Sequence, residues 1–130
     1  MRRLLVLVLL AVVACSVGKD AGGPPVVLLD EFSVEAAGVF GPGVNDVVVR
    51  NDGEFGHTVV FAQSDGTVVG ASPSVAPGEE IVFPVRLEAG VEYEISCRIV
   101  VGVGAGRIVD HYEEGMLTGI TVEVVDALSR

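Results

Sequence analysis

The chain has few of the side chains that carry metal or redox chemistry. Its 130 residues include two cysteines, two histidines, two methionines and no tryptophan. Met1 and Cys15 belong to an N-terminal segment with the features of an export signal, so the exported part keeps one further cysteine, Cys97, and one methionine, Met116. If Cys15 is acylated or removed, an internal disulfide is excluded. Cys97 is then a packed small hydrophobe, an intermolecular bridge or a metal ligand.

Basic side chains are also scarce, with eight Lys and Arg against eighteen Asp and Glu and a formal net charge of −10. Loss of Arg2 and Arg3 with the signal leaves six basic residues and a net charge of about −12. This balance argues against nucleic acid as a partner, because phosphates bind to basic surfaces. The same charge opposes adsorption on anionic lipid and would steer a basic partner toward the protein.

Long apolar runs are absent except for the ten residues from Leu4 to Val13, which are too few for a membrane span of about 20 residues. The following Val12-Val13-Ala14-Cys15 resembles a bacterial lipobox, which implies cleavage before Cys15 and a lipid on its sulfur. The alternative is ordinary cleavage near Ala14 with an incidental cysteine. We expect a signal peptide over residues 1–14, a lipid-anchored tether over 15–25 and one domain over 26–130. The protein would then be exported to the bacterial cell envelope and anchored to a membrane by its lipid.

No stretch has helical periodicity of useful length, and valine, which favours strands, is the commonest residue. Short apolar runs are separated by turn signals, a pattern typical of an all-β sandwich. Alternation places Val91, Tyr93, Ile95 and Cys97 on one inward face. Pro84 predicts that its strand is at an edge or bulged. Residues 63–76 are predicted to form a loop with at most one helical turn.

Three segments contain the histidine, cysteine and methionine side chains of the exported part. They hold an N-x-G turn and His57 (residues 48–59), an alternating strand and Cys97 (residues 76–97), and the pair His111 and Met116 (residues 111–122). Together they resemble the cupredoxins, the plastocyanin-like blue copper proteins, over most of residues 26–126. The resemblance implies a Greek-key β-sandwich.

The resemblance also implies a type 1 copper site whose ligands are His57, Cys97, His111 and Met116. In such a site a thiolate and two imidazoles form a trigonal plane, and a distant thioether adjusts the reduction potential. The protein would carry one electron between Cu(I) and Cu(II) without catalysing bond chemistry. It is expected to act as a monomer with a redox protein as its partner.

The loop between Cys97 and His111 departs from the family pattern, because thirteen residues separate them where relatives have a short loop. Arg98-Ile99-Val100 recurs as Arg107-Ile108-Val109, and removing nine residues restores a C-x4-H motif. We predict a protruding β-hairpin or flap that leaves Cys97 and His111 close together. A second departure is Thr58, whose hydroxyl is expected to connect the ligand loops.

In this family the exposed edge of the second histidine is the natural route for electrons. Tyr112, Leu117 and Phe40, the last in the turn at residues 38–43, are expected to surround that edge of His111. The alternative is that Phe40 belongs to the core.

Three other functions remain open. The first is a copper-binding or delivery protein. The second is a structural or interaction domain that has lost copper through its longer loop. The third is a zinc protein, because cysteine and histidine are also zinc ligands. One methionine is thin support for copper delivery. Two histidines cannot build the trinuclear cluster of a multicopper oxidase, and one available cysteine cannot build a binuclear copper centre.

Overall fold

The computed structural model describes residues 23–124, and these residues form ten β-strands and no helix. Most of the strands are short, and valine is the commonest residue in them, as the valine content predicts. Their bounds are β1 (Val26–Asp30), β2 (Ser33–Ala37), β3 (Gly43–Asn51), β4 (Val60–Gln63), β5 (Val68–Ala71), β6 (Glu80–Leu87), β7 (Glu92–Ser96), β8 (Val100–Gly102), β9 (Ile108–Asp110) and β10 (Leu117–Thr121).

Two four-stranded sheets form the sandwich, with strand orders β2-β1-β3-β6 and β10-β7-β4-β5. The pairing of β1 with β3 is parallel, and the other pairings are antiparallel. Inward-facing side chains from both sheets form one core, which includes Val27, Leu29, Val47, Val49, Phe61, Leu87 and Ile95. The predicted all-β Greek-key sandwich is confirmed.

The alternation predicted around β7 is confirmed in part: Tyr93, Ile95 and Cys97 are buried and Glu92 is exposed, but Val91 is half-buried and the intervening Ser96 is also fully buried. β7 lies between β10 and β4 at the centre of its sheet. Cys97 follows the last residue of this strand, so a central strand with neighbours on both sides holds the thiol. Pro84 lies in β6, an edge strand of the other sheet, as predicted.

The prediction of a loop over residues 63–76 is wrong in part, because β5 occupies Val68–Ala71 and pairs with β4. A tight turn ends β4, with Gly66 at φ 87° and its N–H bonded to the carbonyl of Gln63. That turn lets Val68 and Val69 return along β4. Pairing with β4 makes residues 68–71 a strand, because their sequence has no clear alternation of apolar and polar residues that would predict one.

The insertion between Cys97 and His111 forms the predicted β-hairpin, in which β8 and β9 make a separate two-stranded sheet. Val103 donates its N–H to the carbonyl of Arg107 across the tip, where Ala105 has φ 50° between two glycines of positive φ. The N–H of His111 bonds to the carbonyl of Ile99 at 2.9 Å and closes the base of the hairpin.

Among residues 23–124, no helix is long and apolar enough to cross a membrane. The predicted signal, Cys15 and most of the predicted tether lie outside the described residues.

Candidate metal centre

Three buried donor side chains from separate segments meet at one end of the sandwich. His57 and Cys97 are fully buried, and His111 is 3% exposed. The Nδ1 atoms of the two histidines are 3.2 Å apart, and the sulfur of Cys97 lies 3.9 Å from Nδ1 of His57 and 3.6 Å from Nδ1 of His111. The structure therefore brings together three of the four residues that the sequence predicts as ligands.

The triangle formed by these three atoms has the dimensions of a metal site. Its circumradius is about 2.1 Å, so one point in its plane is equally far from both nitrogens and the sulfur. Metal–nitrogen and metal–sulfur distances in zinc proteins are about 2.0–2.1 Å and about 2.3 Å. One cysteine sulfur and two imidazole nitrogens that surround a common point in a buried place fit a transition-metal ion of the copper or zinc type.

Backbone pairing and the side chain of Asn51 position His57. His57 and Val75 exchange two backbone hydrogen bonds, of 3.1 and 2.7 Å, in an isolated bridge. The amide nitrogen of buried Asn51 donates to the carbonyls of Phe55 and Val75, and its Oδ1 accepts the N–H of Gly53. The predicted N-x-G turn thus ties together the loop before His57 and the segment that pairs with it.

Cys97 is held at the end of β7, where its N–H donates to the carbonyl of Met116 at 3.0 Å. The N–H of Thr58 points at the sulfur from 3.5 Å, and the Thr58 hydroxyl lies 3.8 Å from it. Thr58 therefore connects the two ligand loops as predicted, with its backbone amide closer to the sulfur than its hydroxyl.

Met116, the fourth predicted ligand, is fully buried and follows His111 in a tight loop. Its N–H donates to the carbonyl of His111 at 3.0 Å, and its carbonyl accepts the N–H of Cys97. The backbone of Met116 thus lies between two of the clustered residues. Its role as a weak fourth ligand remains a prediction.

The two-residue turn between β1 and β2 contacts both histidines from outside the triangle, and sequence reasoning missed it. Oε1 of Glu31 lies 3.3 Å from Nε2 of His57, and the ring of Phe32 meets the ring of His111 edge-on at a centroid distance of 5.7 Å. Phe32 has φ 58°, which is uncommon for a bulky residue and typical of functional sites. The sequence carries no metal-ligand signal here, because the turn contains no cysteine, histidine or methionine.

Burial opposes ionisation of Glu31, but the N–H groups of Phe55 and Glu54, together with His57, hold its pKa below the ordinary value. Burial, with repulsion from His57, lowers the pKa of His111. A lowered pKa keeps the imidazole of His111 neutral, so its lone pair is available to a metal ion.

The surroundings of His111 differ from the prediction. Its ring is almost entirely buried rather than presenting an exposed edge. Phe40 is 5% exposed and packs against Phe61, so it belongs to the core, and Phe32 covers His111 instead. Half-buried Tyr112 follows His111 directly, and Leu117 is exposed.

The outer nitrogens of the two imidazoles differ in their surroundings. Within residues 23–124, the hydrogen-bond contacts of the His111 ring are made by Nδ1, whereas His57 also has its Nε2 on the carboxylate of Glu31.

No family model matches the chain, and no curated protein matches it. Among solved structures, it resembles the crystal structure of Na-dithionite-reduced auracyanin from the photosynthetic bacterium Roseiflexus castenholzii, with a TM-score of 0.58. The fold is a cupredoxin fold. The likeness covers 76% of this chain and 95% of auracyanin at 16% sequence identity, and it concerns the fold alone.

Proposed function

We propose that this protein is a type 1 copper electron carrier with His57, Cys97 and His111 as its equatorial ligands. The observation that carries the proposal is the buried triangle of two Nδ1 atoms and one sulfur, in the order and fold of a cupredoxin. A copper ion held there would alternate between Cu(I) and Cu(II) and so accept and donate one electron.

Copper(II) added to the exported chain tests the proposal. Thiolate ligation should give an intense blue or green absorption, whereas zinc should give none. A chain that binds no copper would refute it and favour the structural-domain alternative, and a copper complex with only faint colour would refute it in favour of the copper-binding or delivery alternative.

The protein's own contribution is to keep the donors still and to connect them to the surface. His57 and Cys97 are each fixed by backbone hydrogen bonds, so little rearrangement would accompany a change of charge at the centre. His111 is the least buried of the three donors, at 3% exposed, and the exposed Phe32 lies against its ring. We assign electron exchange to the His111 side of the centre and partner contact to the surface around Phe32.

The structure disfavours loss of copper through the longer loop. Despite the insertion, the sulfur of Cys97 is 3.6 Å from Nδ1 of His111, because the hairpin brings its two ends together. Copper delivery is also disfavoured, since exchange of the ion needs accessible ligands and these are buried. We therefore propose a carrier rather than an enzyme, acting as a monomer with a redox protein that is steered by the negative net charge.

Substitution of Met116 by leucine tests its assignment as the axial ligand. We expect the variant to retain copper and its colour, because the three strong donors remain. Its reduction potential should rise, since a weak donor to Cu(II) is lost. Cyclic voltammetry measures the change, and an unchanged potential would remove Met116 from the ligand set.

Deletion of residues 98–106 tests the role of the hairpin. The variant joins Cys97 to Arg107, which would then follow Cys97 in the position of Arg98. In the natural chain the guanidinium of Arg98 stacks 3.9 Å from the ring centroid of Tyr112 and pairs with Glu94. Loop entropy differs by only about 1 kcal/mol between thirteen and four residues. We therefore expect nearly unchanged copper affinity and faster electron exchange with a basic soluble redox protein, measured by stopped flow.

The hairpin-deletion test has a matched control of native loop length. Exposed Val103 and Ile108 are replaced by serine in the full hairpin, which preserves its bulk while removing apolar surface. If electron exchange is faster than in the natural protein only in this serine control, and not after the deletion, the apolar surface of the hairpin rather than its bulk limits access of the partner. If copper binds only after the deletion, the insertion has inactivated the site.

The membrane anchor is a proposal that the lipobox-like sequence supports. We expect Cys15 to be the first residue of the mature chain and to carry lipid, and the protein to partition with membranes. Mass spectrometry of the native N-terminal peptide measures this. An unmodified Cys15, or a mature chain that begins after it, would contradict the proposal.

A further inference from the structure

The carboxylate of Glu31 is aimed at the outer nitrogen of a candidate ligand. Its Oε1 lies 3.3 Å from Nε2 of His57, and the same oxygen accepts the N–H groups of Glu54 at 2.7 Å and Phe55 at 3.0 Å. Three hydrogen bonds on one oxygen are the pattern of an ionised carboxylate. Because a carboxylate only accepts, Nε2 of His57 must carry the proton.

The loop that accepts this carboxylate is shaped for it. A Cβ atom on Gly53 would overlap the carboxyl group of Glu31, so the glycine of the N-x-G turn leaves the space that Glu31 occupies. The side chain of Glu31 is only 25% exposed, and two backbone amides hold its carboxylate in place. The contact is therefore built by two separate turns rather than by a freely rotating surface side chain.

We propose that Glu31 is a positioning residue of the metal centre, which fixes His57 in the Nε2–H tautomer and lowers the reduction potential. This inference rests on the proposed copper function. With the proton on Nε2, Nδ1 is free and faces Nδ1 of His111 and the sulfur of Cys97. An acceptor on the outer N–H orients a ligating imidazole and raises its basicity, which stabilises the higher charge of Cu(II) more than that of Cu(I).

The negative charge and the hydrogen-bond acceptor can be separated by two variants. Glu31→Gln keeps an Oε1 acceptor for all three donors and removes the charge, whereas Glu31→Leu removes both. Exposed Glu54→Gln is the matched control, since it removes one charge from the turn that Glu31 contacts, and among the described residues its carboxylate has no hydrogen bond to either histidine.

Reduction potentials of the copper-loaded proteins provide the first measurement. Outer partners of metal-binding histidines typically alter metal affinity by 10–100-fold. We expect Glu31→Gln to weaken Cu(II) relative to Cu(I) by about tenfold, which for one electron is a rise of about 59 mV. Glu54→Gln should shift the potential much less. Equal shifts in the two variants would show a general charge effect and overturn the proposal.

Imidazole ¹⁵N NMR of the metal-free protein provides a measurement that needs no copper. We expect His57 to carry its proton on Nε2 in the natural protein and in Glu31→Gln, and to become a tautomer mixture in Glu31→Leu. A proton on Nδ1 of His57 in the natural protein would overturn the inference. If the natural protein shows the Nε2–H tautomer but binds no copper, the proposed function fails while the tautomer assignment stands.

Discussion

Replacement of Cys97 by serine will abolish the intense colour that the proposed copper(II) protein should have. The colour of a blue copper site comes from its thiolate, and a serine hydroxyl at neutral pH is neither a thiolate nor a comparable donor. Cys97 provides the only sulfur in the triangle, at 3.9 and 3.6 Å from the two Nδ1 atoms. Absorption spectra of the natural and variant chains, recorded with equal copper(II), measure the loss.

Ser96→Ala is the matched control for Cys97→Ser. Ser96 is fully buried and directly precedes Cys97 in the chain. The substitution removes only its Oγ, which among the described residues accepts a hydrogen bond from Arg98 alone. This variant should keep the colour. Circular dichroism of both metal-free proteins should show an intact β fold. A Cys97→Ser protein that is folded and still intensely coloured would contradict the copper assignment.

The sequence predicts three members of the buried donor cluster, His57, Cys97 and His111, because local signals accompany them. Alternation points Cys97 inward, and the N-x-G turn precedes His57. The two ends of the insertion repeat Arg-Ile-Val, which predicts two pairing strands, and these form β8 and β9. Local periodicity and turn chemistry are sufficient for such features, because they act over a few neighbouring residues.

The contacts around the cluster could not be predicted in the same way, because they join residues far apart in the chain. Glu31 meets His57 across 26 positions, and Phe32 meets His111 across a still longer separation. Nothing in the local sequence distinguishes Phe32 from Phe40, yet one lies on the imidazole and the other in the core. β5 was missed for the same reason, since its strand character comes from β4.

Replacement of Asn51 by alanine will destabilise the protein and disturb the metal centre together. The variant loses three hydrogen bonds, and the buried N–H of Gly53 loses its Asn51 partner, while the carbonyl of Val75 keeps the N–H of His57. One unsatisfied buried group costs about 1–3 kcal/mol and each other lost hydrogen bond about 0.5–1.5 kcal/mol, so we expect a loss of about 2–4 kcal/mol in unfolding free energy. For a domain of this size Tm should fall by roughly 10–25 °C.

Asn45→Ala supplies a control within the same strand, because Asn45 and Asn51 lie near opposite ends of β3, about 20 Å apart for six extended residues. The side chain of Asn45 also makes three hydrogen bonds, to the N–H and carbonyl of Gly41 and to the carbonyl of Gly43. Thermal unfolding should show a comparable loss of stability in both variants. Only Asn51→Ala should change the copper(II) spectrum and weaken copper binding, because Asn51 holds the segments on both sides of His57. Equal spectra in the two variants would show that the position of His57 does not depend on Asn51.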